Sequence, residues 1–377
     1  MNLLDYLIPS YIYNSRKSDS FEKCIVTFSE NIQLSDYDAF IISCDEDRLA
    51  GHTHDYSASA QKIRKQFNRL VLHEKNIKIV DFGEIICGKT YNDTRAAIQY
   101  VLSQLLQYNK PIIFVGGTHD LFVEICNEIL AKEEYPSVSI IDSGINYAPQ
   151  EEFTNTNFLS ALTQQNPHIK ITHLAHQSYL TSNDSIKWMN ENYYPHYRLA
   201  ELKNIYNVEQ HIRDSHCISF DLSSIRYSDS PASIYSLPAG LSAMQSCDIA
   251  WQSGFSDKMN IFFVTEYIPN RDKEDVSALL SAQIIWHVLE GISQRQGELI
   301  TDETKQYFSK YHVNNDYLNQ DLIFYQSKKT QKMWLEMTSG FLYKRFIPCL
   351  IQEYEEALRN EIPHNFYLEF QRMLKNK

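Results

Sequence analysis

Short apolar runs alternate with amphipathic stretches along most of the chain, the pattern of βα units wrapped around a parallel sheet. The runs AFIISC (39–44), KIVDFG (78–83), PIIFVGG (111–117), SVSIID (137–142), KITHLA (170–175), CISFDL (217–222) and NIFFVTEY (260–267) predict strands. Their near-continuous hydrophobicity places them where both sheet faces are covered. Between them, SASAQKIRKQFNRLVL opens on a Ser cap near residue 57, and TRAAIQYVLSQLLQ sets apolar residues at helical spacing. LSAMQSCDIAWQSG predicts a helix with Gly254 as its C-cap, and VSALLSAQIIWHVLEGI a strongly apolar helix after the last strand. Beyond about residue 300 the pattern changes. KKTQKMWLEMTSGFLYKRFIPCLIQEYEEALRNEIP and NFYLEFQRMLK read as helices with aromatic faces and no new strands. The expectation is an α/β domain over 1–300 with a helical C-terminal extension, 301–377, packed on it.

Charge and composition narrow the function. At a net charge of -12 with scattered Lys and Arg, the chain lacks the concentrated basic surface that nucleic acid requires. No apolar run approaches the roughly 18 residues that suggest a membrane helix. The start, MNLLDYLIPSYIYNSRK, lacks a basic leader followed by an apolar stretch. A cytoplasmic protein without membrane insertion is expected. The seven cysteines (24, 44, 87, 126, 217, 247 and 349) form no CxxC pair, and several sit in apolar runs. They read as small buried hydrophobes, with neither a disulfide framework nor a zinc site.

In open parallel sheets, sites form outside the carboxyl ends of the strands. Those ends carry His119 and Asp120, Asp142, Asp221 and Glu266, while the first strand runs into Asp45, Glu46, Asp47, His52, His54 and Asp55. A His and several carboxylates on one rim can hold a divalent ion. Acidic and His residues at strand ends also serve as caps or solvated loops, and composition does not choose between the two readings.

Four of these segments resemble, in order and spacing, the motifs of the ureohydrolases, the arginase, agmatinase and formimidoylglutamase superfamily. VGGTHD (115–120) is similar to its GG-x-H segment, and IIDSGIN (140–146) stands where the family has Asp-Ala-His-x-Asp. SFDLSSIRYSDSP (219–231) resembles Ser-x-Asp-x-Asp, with PAGLSAMQSCDIAWQSG as the following helix entry; VTEYIPNRD (264–272) resembles Glu-x-x-Pro-x-x-Asp. The resemblance spans roughly residues 38–296 and implies a three-layer α/β/α arginase-like fold with a mostly parallel sheet.

The family holds two Mn²⁺ ions with two His and four Asp, and a bridging hydroxide attacks a guanidinium or formimino carbon. Carried across, His119, Asp142 and Asp221 are kept, but the second His is Gly144, the next Asp is Asn146 and the last Asp is Ser223. Three of the six ligands remain. One half-site keeps a donor at every place (His119, Asp142, Asp221 and the Asn146 carbonyl), whereas the other has lost both private ligands. Two carboxylates cannot offset two divalent cations in a low-dielectric cleft, so at most one Mn²⁺ or other divalent ion is expected. Glu266 matches the carboxylate that faces the substrate's cationic group; its other reading is a rim residue paired with a nearby Arg or Lys.

The first-strand loop departs from the family's Asn-Gly-Arg-x-Gly pattern, and His52, His54 and Asp55 form either a replacement metal site or a solvated loop. His173 and His176 read as hydrogen-bonded structural residues and His287 as a core residue. Three functions stand. The first is a degenerate ureohydrolase acting as a binding or interaction protein, with Trp334, Phe341, Tyr343 and Phe346 as a partner or self-association surface or as buried packing. The second is a mononuclear C–N hydrolase of formiminoglutamate-like or guanidino substrates. The third is a metal-free site in which Asp120, Asp142 and Glu266 bind a small cationic amine.

Overall fold

The computed structural model describes residues 3–9, 11–17, 19–51, 55–71, 77–149, 151–339 and 343–375. Ten strands form the main sheet: β1 (Leu7–Ile8), β2 (Ile25–Thr27), β3 (Ala39–Ser43), β4 (Ile79–Ile85), β5 (Ile112–Val115), β6 (Ser137–Ile141), β7 (Lys170–His176), β8 (His196–Arg198), β9 (Cys217–Asp221) and β10 (Ile261–Thr265). Their order is β1-β4-β3-β5-β10-β9-β6-β7-β8, with β2 also paired to β4. Only β1 runs antiparallel to its neighbour. The strands expected from continuous apolar runs are all present, and β3, β5, β6, β9 and β10 are buried at every position.

Alternate residues of these strands feed two separate cores. On one face, Ile41, Ile113, Phe220 and Phe262 pack under α1 (Ser59–Gln66), α6 (Glu209–Arg213), α7 (Ala243–Phe255) and α8 (Val276–Ser293). On the other, Phe40, Phe114, Ile140 and Phe263 pack under α2 (Tyr91–Leu105), α3 (Leu121–Leu130), α4 (Phe158–Gln165) and α5 (Asn183–Glu191). The result is a three-layer α/β/α fold.

Gly254 does not end a helix. It lies inside α7, where an added Cβ would meet the Val288 carbonyl oxygen of α8 at 2.0 Å. Gly291 answers it from α8, 2.4 Å by the same measure from the Trp251 carbonyl oxygen, so the two helices cross almost backbone to backbone. By length and composition α8 could cross a membrane, but 61% of it is buried inside this fold.

The C-terminal stretch overturns the expectation of helices alone. Residues after 300 form a second, antiparallel sheet, β11 (Phe308–Asn315), β12 (Gln320–Ser327), β13 (Met333–Ser339) and β14 (Tyr343–Cys349), before α9 (Ile351–Leu358) and α10 (His364–Lys375). The physical reason is period two. Met333, Leu335 and Met337 enter one core while Trp334 enters another on the opposite face, which gives an apolar density easily mistaken for a helix. Phe341 lies outside the described residues. The module is clamped to the main domain: Arg213 donates to the carbonyl oxygens of Met333 (3.2 Å) and Cys349 (3.3 Å), and its guanidinium lies 4.3 Å from the Trp334 ring centre.

Candidate functional site

The carboxyl ends of β5, β6, β9 and β10 meet at one rim. After β5, Gly116 (φ 94°) and Gly117 (φ 73°) turn the chain through the left-handed region. A Cβ at 117 would sit 2.9 Å from the carbonyl oxygens of both Cys44 and Glu46, so only glycine passes there. His119 leaves this turn, Asp142 follows β6, Asp221 ends β9 and Glu266 follows β10. All four side chains are buried.

His119 is the centre of the cluster. Its ring stacks on Phe158 with centroids 4.1 Å apart. Nδ1 lies 3.2 Å from Asp221 Oδ2 and 3.4 Å from Asp142 Oδ2, while Nε2 bonds the Ser219 hydroxyl. Burial opposes a charged imidazole, yet Asp142 and Asp221 overcome it and push His119 up to about 10. Burial likewise works against the Asp142 carboxylate, but its bond to His119 holds it below the ordinary range. Burial and the neighbouring Asp142 charge push Asp221 up to about 7.

The three positions that the resemblance leaves without a ligand all serve Asp142 or Asp221. Asn146 donates its amide N–H to Asp142 Oδ2 at 2.7 Å. It therefore presents nitrogen, not the carbonyl oxygen expected of a ligand. Ser223 donates its hydroxyl to Asp142 Oδ1 (3.2 Å) and its backbone N–H to Asp221 Oδ1 (2.6 Å), and the Gly144 N–H reaches Asp142 Oδ1 at 3.2 Å. His173 fixes this loop from below, its Nε2 3.0 Å from the Gly144 carbonyl oxygen. Burial drives His173 down to about 3, so it is neutral.

The remaining candidates divide. Glu266, at φ 63°, has both oxygens engaged: Oε1 accepts from the His119 N–H (2.9 Å) and Asn155 Nδ2 (2.9 Å), and Oε2 from the Tyr56 hydroxyl. These three donors are neutral, and none of them is the Arg or Lys that the sequence reading offered. Asp120 accepts from the Thr118 hydroxyl and does not line the cavity, which removes it from the metal-free amine site; burial pushes it up to about 7. Asp45 holds the first turn of α1 through Ser59, and Glu46 pairs with Arg48. Asp47 accepts from the Tyr56 N–H. Asp55 accepts from the Ser57 N–H at 2.8 Å and stays outside the cavity; His52 and His54 lie outside the described residues. His176 bonds His196 (3.2 Å), and His287 Nδ1 reaches the Gln283 carbonyl oxygen (2.7 Å).

Sequence reasoning did not find Tyr56 and Asn155, which lie in loops remote in sequence from Glu266. Ser219 could have been found, because residues two apart on a strand share a face and Asp221 was already a candidate. His119, Asp142, Asn146, Asn155, Asp221 and Glu266 line a cavity of about 130 Å³, whose wall also includes Leu180, Ile234 and Tyr235.

Donor atoms of His119, Asp142 and Asp221 lie within 4.8 Å of one another, the only such trio among the described residues. One imidazole and two carboxylates suit a single divalent ion. They do not suit two, since the second would find a glycine and a hydroxyl where its own ligands should be.

The three-layer fold with this rim is that of the arginase family, whose model matches residues 47–290, and the chain belongs to that family. Among solved structures it is similar to the Trypanosoma cruzi formiminoglutamase with Mn²⁺ (18% identity, 71% of this chain and 97% of that one, TM-score 0.63). It is also similar to formimidoylglutamase from Bacillus subtilis (14%, 76% and 95%, TM-score 0.67) and agmatine ureohydrolase of Thermoplasma volcanium (15%, 74% and 95%, TM-score 0.60). At these identities the likeness is one of fold. No curated protein sequence matches the chain.

Proposed function

We propose that this arginase-family protein is catalytically degenerate and works in the cytoplasm as a binding or interaction protein, not as a two-metal hydrolase. One observation carries the reading: Asp142, a bridging ligand in the family pattern, is held by hydrogen bonds from Asn146, Ser223 and Gly144, the three positions where ligands are missing. Hydrogen-bond donors repel a cation where ligand oxygens would attract it. Glu266 is likewise held by three donors, which compete with a guanidinium for its oxygens.

The His119–Asp142–Asp221 trio favours a second reading, a mononuclear hydrolase of formiminoglutamate-like or guanidino C–N bonds. A divalent ion there would supply a Lewis acid and an activated water. His119, Asp142 and Asp221 would hold it, and the small cavity would exclude bulky substrates.

Elemental mass spectrometry after incubation with Mn²⁺ and removal of free ion separates the readings. Retention well below one ion per chain, with no release of product from formiminoglutamate or agmatine, is the expected result. One tightly held ion and turnover would establish the second reading in its place.

A further inference from the structure

Cys44 and Cys87 stand where two neighbouring strands end. β3 pairs in parallel with β4 on one side and with β5 on the other, so both thiols lie at the carboxyl end of the sheet, the end at which His119 leaves β5. Cys44 follows β3 directly, and Cys87 comes shortly after β4. Separated by 43 positions in sequence, their Sγ atoms are 3.8 Å apart. That is non-bonded contact, and a disulfide needs the two sulfurs only about 1.8 Å closer.

The pair is asymmetric. Of the seven cysteines, all of them among the described residues, Cys87 is the exposed one, while Cys44 is completely buried. The hydrogen bond with Cys87 and then burial push the Cys44 thiol up, so it stays protonated and shielded from solvent. Neighbouring contacts hold the two loops in this relation. Thr94 Oγ1 accepts from Arg48 (2.7 Å) and from the Gly88 N–H (2.9 Å), so one hydroxyl ties the segment after Cys44 to the residue after Cys87. The Cys44 N–H bonds the Val115 carbonyl oxygen (3.2 Å), and the Glu46 carbonyl oxygen accepts from the Thr118 N–H (3.2 Å). These two bonds seat the same segment against the turn that carries His119.

We propose that Cys44 and Cys87 are an oxidisable dithiol, with a small peroxide as its oxidant, and that closing it staples the loop after β3 to the end of β4. The accessible Cys87 sulfur attacks one oxygen of hydrogen peroxide. The O–O bond breaks, Cys87 becomes a sulfenic acid, and the departing hydroxide takes the thiol proton as water. The Cys44 sulfur then attacks the Cys87 sulfur. The S–S bond forms, the S–O bond breaks, and the hydroxide leaves with the Cys44 proton as a second water. One peroxide is thus reduced to two waters as two thiols are oxidised to one disulfide. No group of the His119 cluster takes part, so the reaction stands with either reading of that site.

The test uses the full chain, reduced, freed of reductant and treated with hydrogen peroxide. Remaining thiols are blocked under denaturing conditions, and the protein is mapped by mass spectrometry without reduction. A peptide pair joined through Cys44 and Cys87 is expected, and dithiothreitol should separate it again. Cys44→Ser removes the resolving sulfur, so dimedone should capture several-fold more sulfenic acid at Cys87 than in the native chain. Cys87→Ser should leave Cys44 reduced. Circular dichroism checks that both variants fold, and the peptide map of the native chain decides the case even where one does not. The closed form should also unfold at a higher temperature than the reduced one, a difference absent from Cys44→Ser. Recovery of Cys87 as a sulfonic acid or in links between chains, with no Cys44–Cys87 peptide, overturns the proposal. So does equal dimedone capture in the native chain and Cys44→Ser, or a Tm that closure does not raise.

Discussion

The Tyr56 hydroxyl donates to the Glu266 carboxylate across 210 residues of sequence, tying the first-strand loop to the end of the last strand of the main sheet. Both groups are buried. Tyr56→Phe removes the donor without changing shape and leaves a buried carboxylate oxygen short of a partner. Destabilisation of about 1–3 kcal/mol is expected in urea unfolding. A cost near zero would show that Glu266 is held adequately by its other partners, His119 and Asn155 among them.

His119 titrates near 6.5 in an unfolded chain and at about 10 in this fold, so the folded state binds the proton more tightly. That contribution is whole below about pH 6.5 and is lost as pH rises toward 10. Chelator-treated protein should lose on the order of 2–3 kcal/mol of stability between pH 6.5 and 9. The His119→Gln variant should show a much flatter profile. Parallel profiles for the two proteins would refute a protonated His119.

Returning the three missing ligands, Gly144→His, Asn146→Asp and Ser223→Asp, should restore manganese binding toward two ions per chain. Position 144 has space: an added Cβ meets nothing nearer than the Leu180 carbonyl oxygen at 3.4 Å. Bound at about 100 times its dissociation constant, the metal would stabilise the variant by about 2.7 kcal/mol, readable as a manganese-dependent rise in Tm. A folded triple variant that retains no manganese would mean the cleft itself has been reshaped.

Gly254→Ala should be poorly tolerated. Its methyl group would meet the Val288 backbone, not a side chain that can turn aside, so α7 and α8 must separate. Overpacking of this kind costs about 1–3 kcal/mol or more. Thermal unfolding of the variant measures it, and an unchanged Tm would show that the crossing is looser than described.

The parts of this fold that could be read from sequence are those where one physical demand dominates. Central parallel strands such as β5 and β10 are covered on both faces and therefore appear as unbroken apolar runs. Their carboxyl ends then point to His119, Asp142, Asp221 and Glu266 without further help. The short edge strands β1, β2 and β8 carry no such run. The C-terminal sheet was hidden by a different cause: both faces of β13 are covered, Leu335 on one side and Trp334 on the other, so alternation vanished into general hydrophobicity. At the site, residue types were legible but directions were not. Nothing in the letters SGIN tells whether the Asn146 amide turns its oxygen or its nitrogen toward Asp142.

Many metalloproteins couple folding to ion supply, because a cluster of unneutralised carboxylates is unstable until the ion arrives. Here the proton on His119 and the donors of Asn146, Ser223 and Gly144 neutralise or satisfy the same carboxylates from within the chain. If the protein works without an ion, as proposed, its native population would be uncoupled from manganese availability, and the fold would persist through metal starvation.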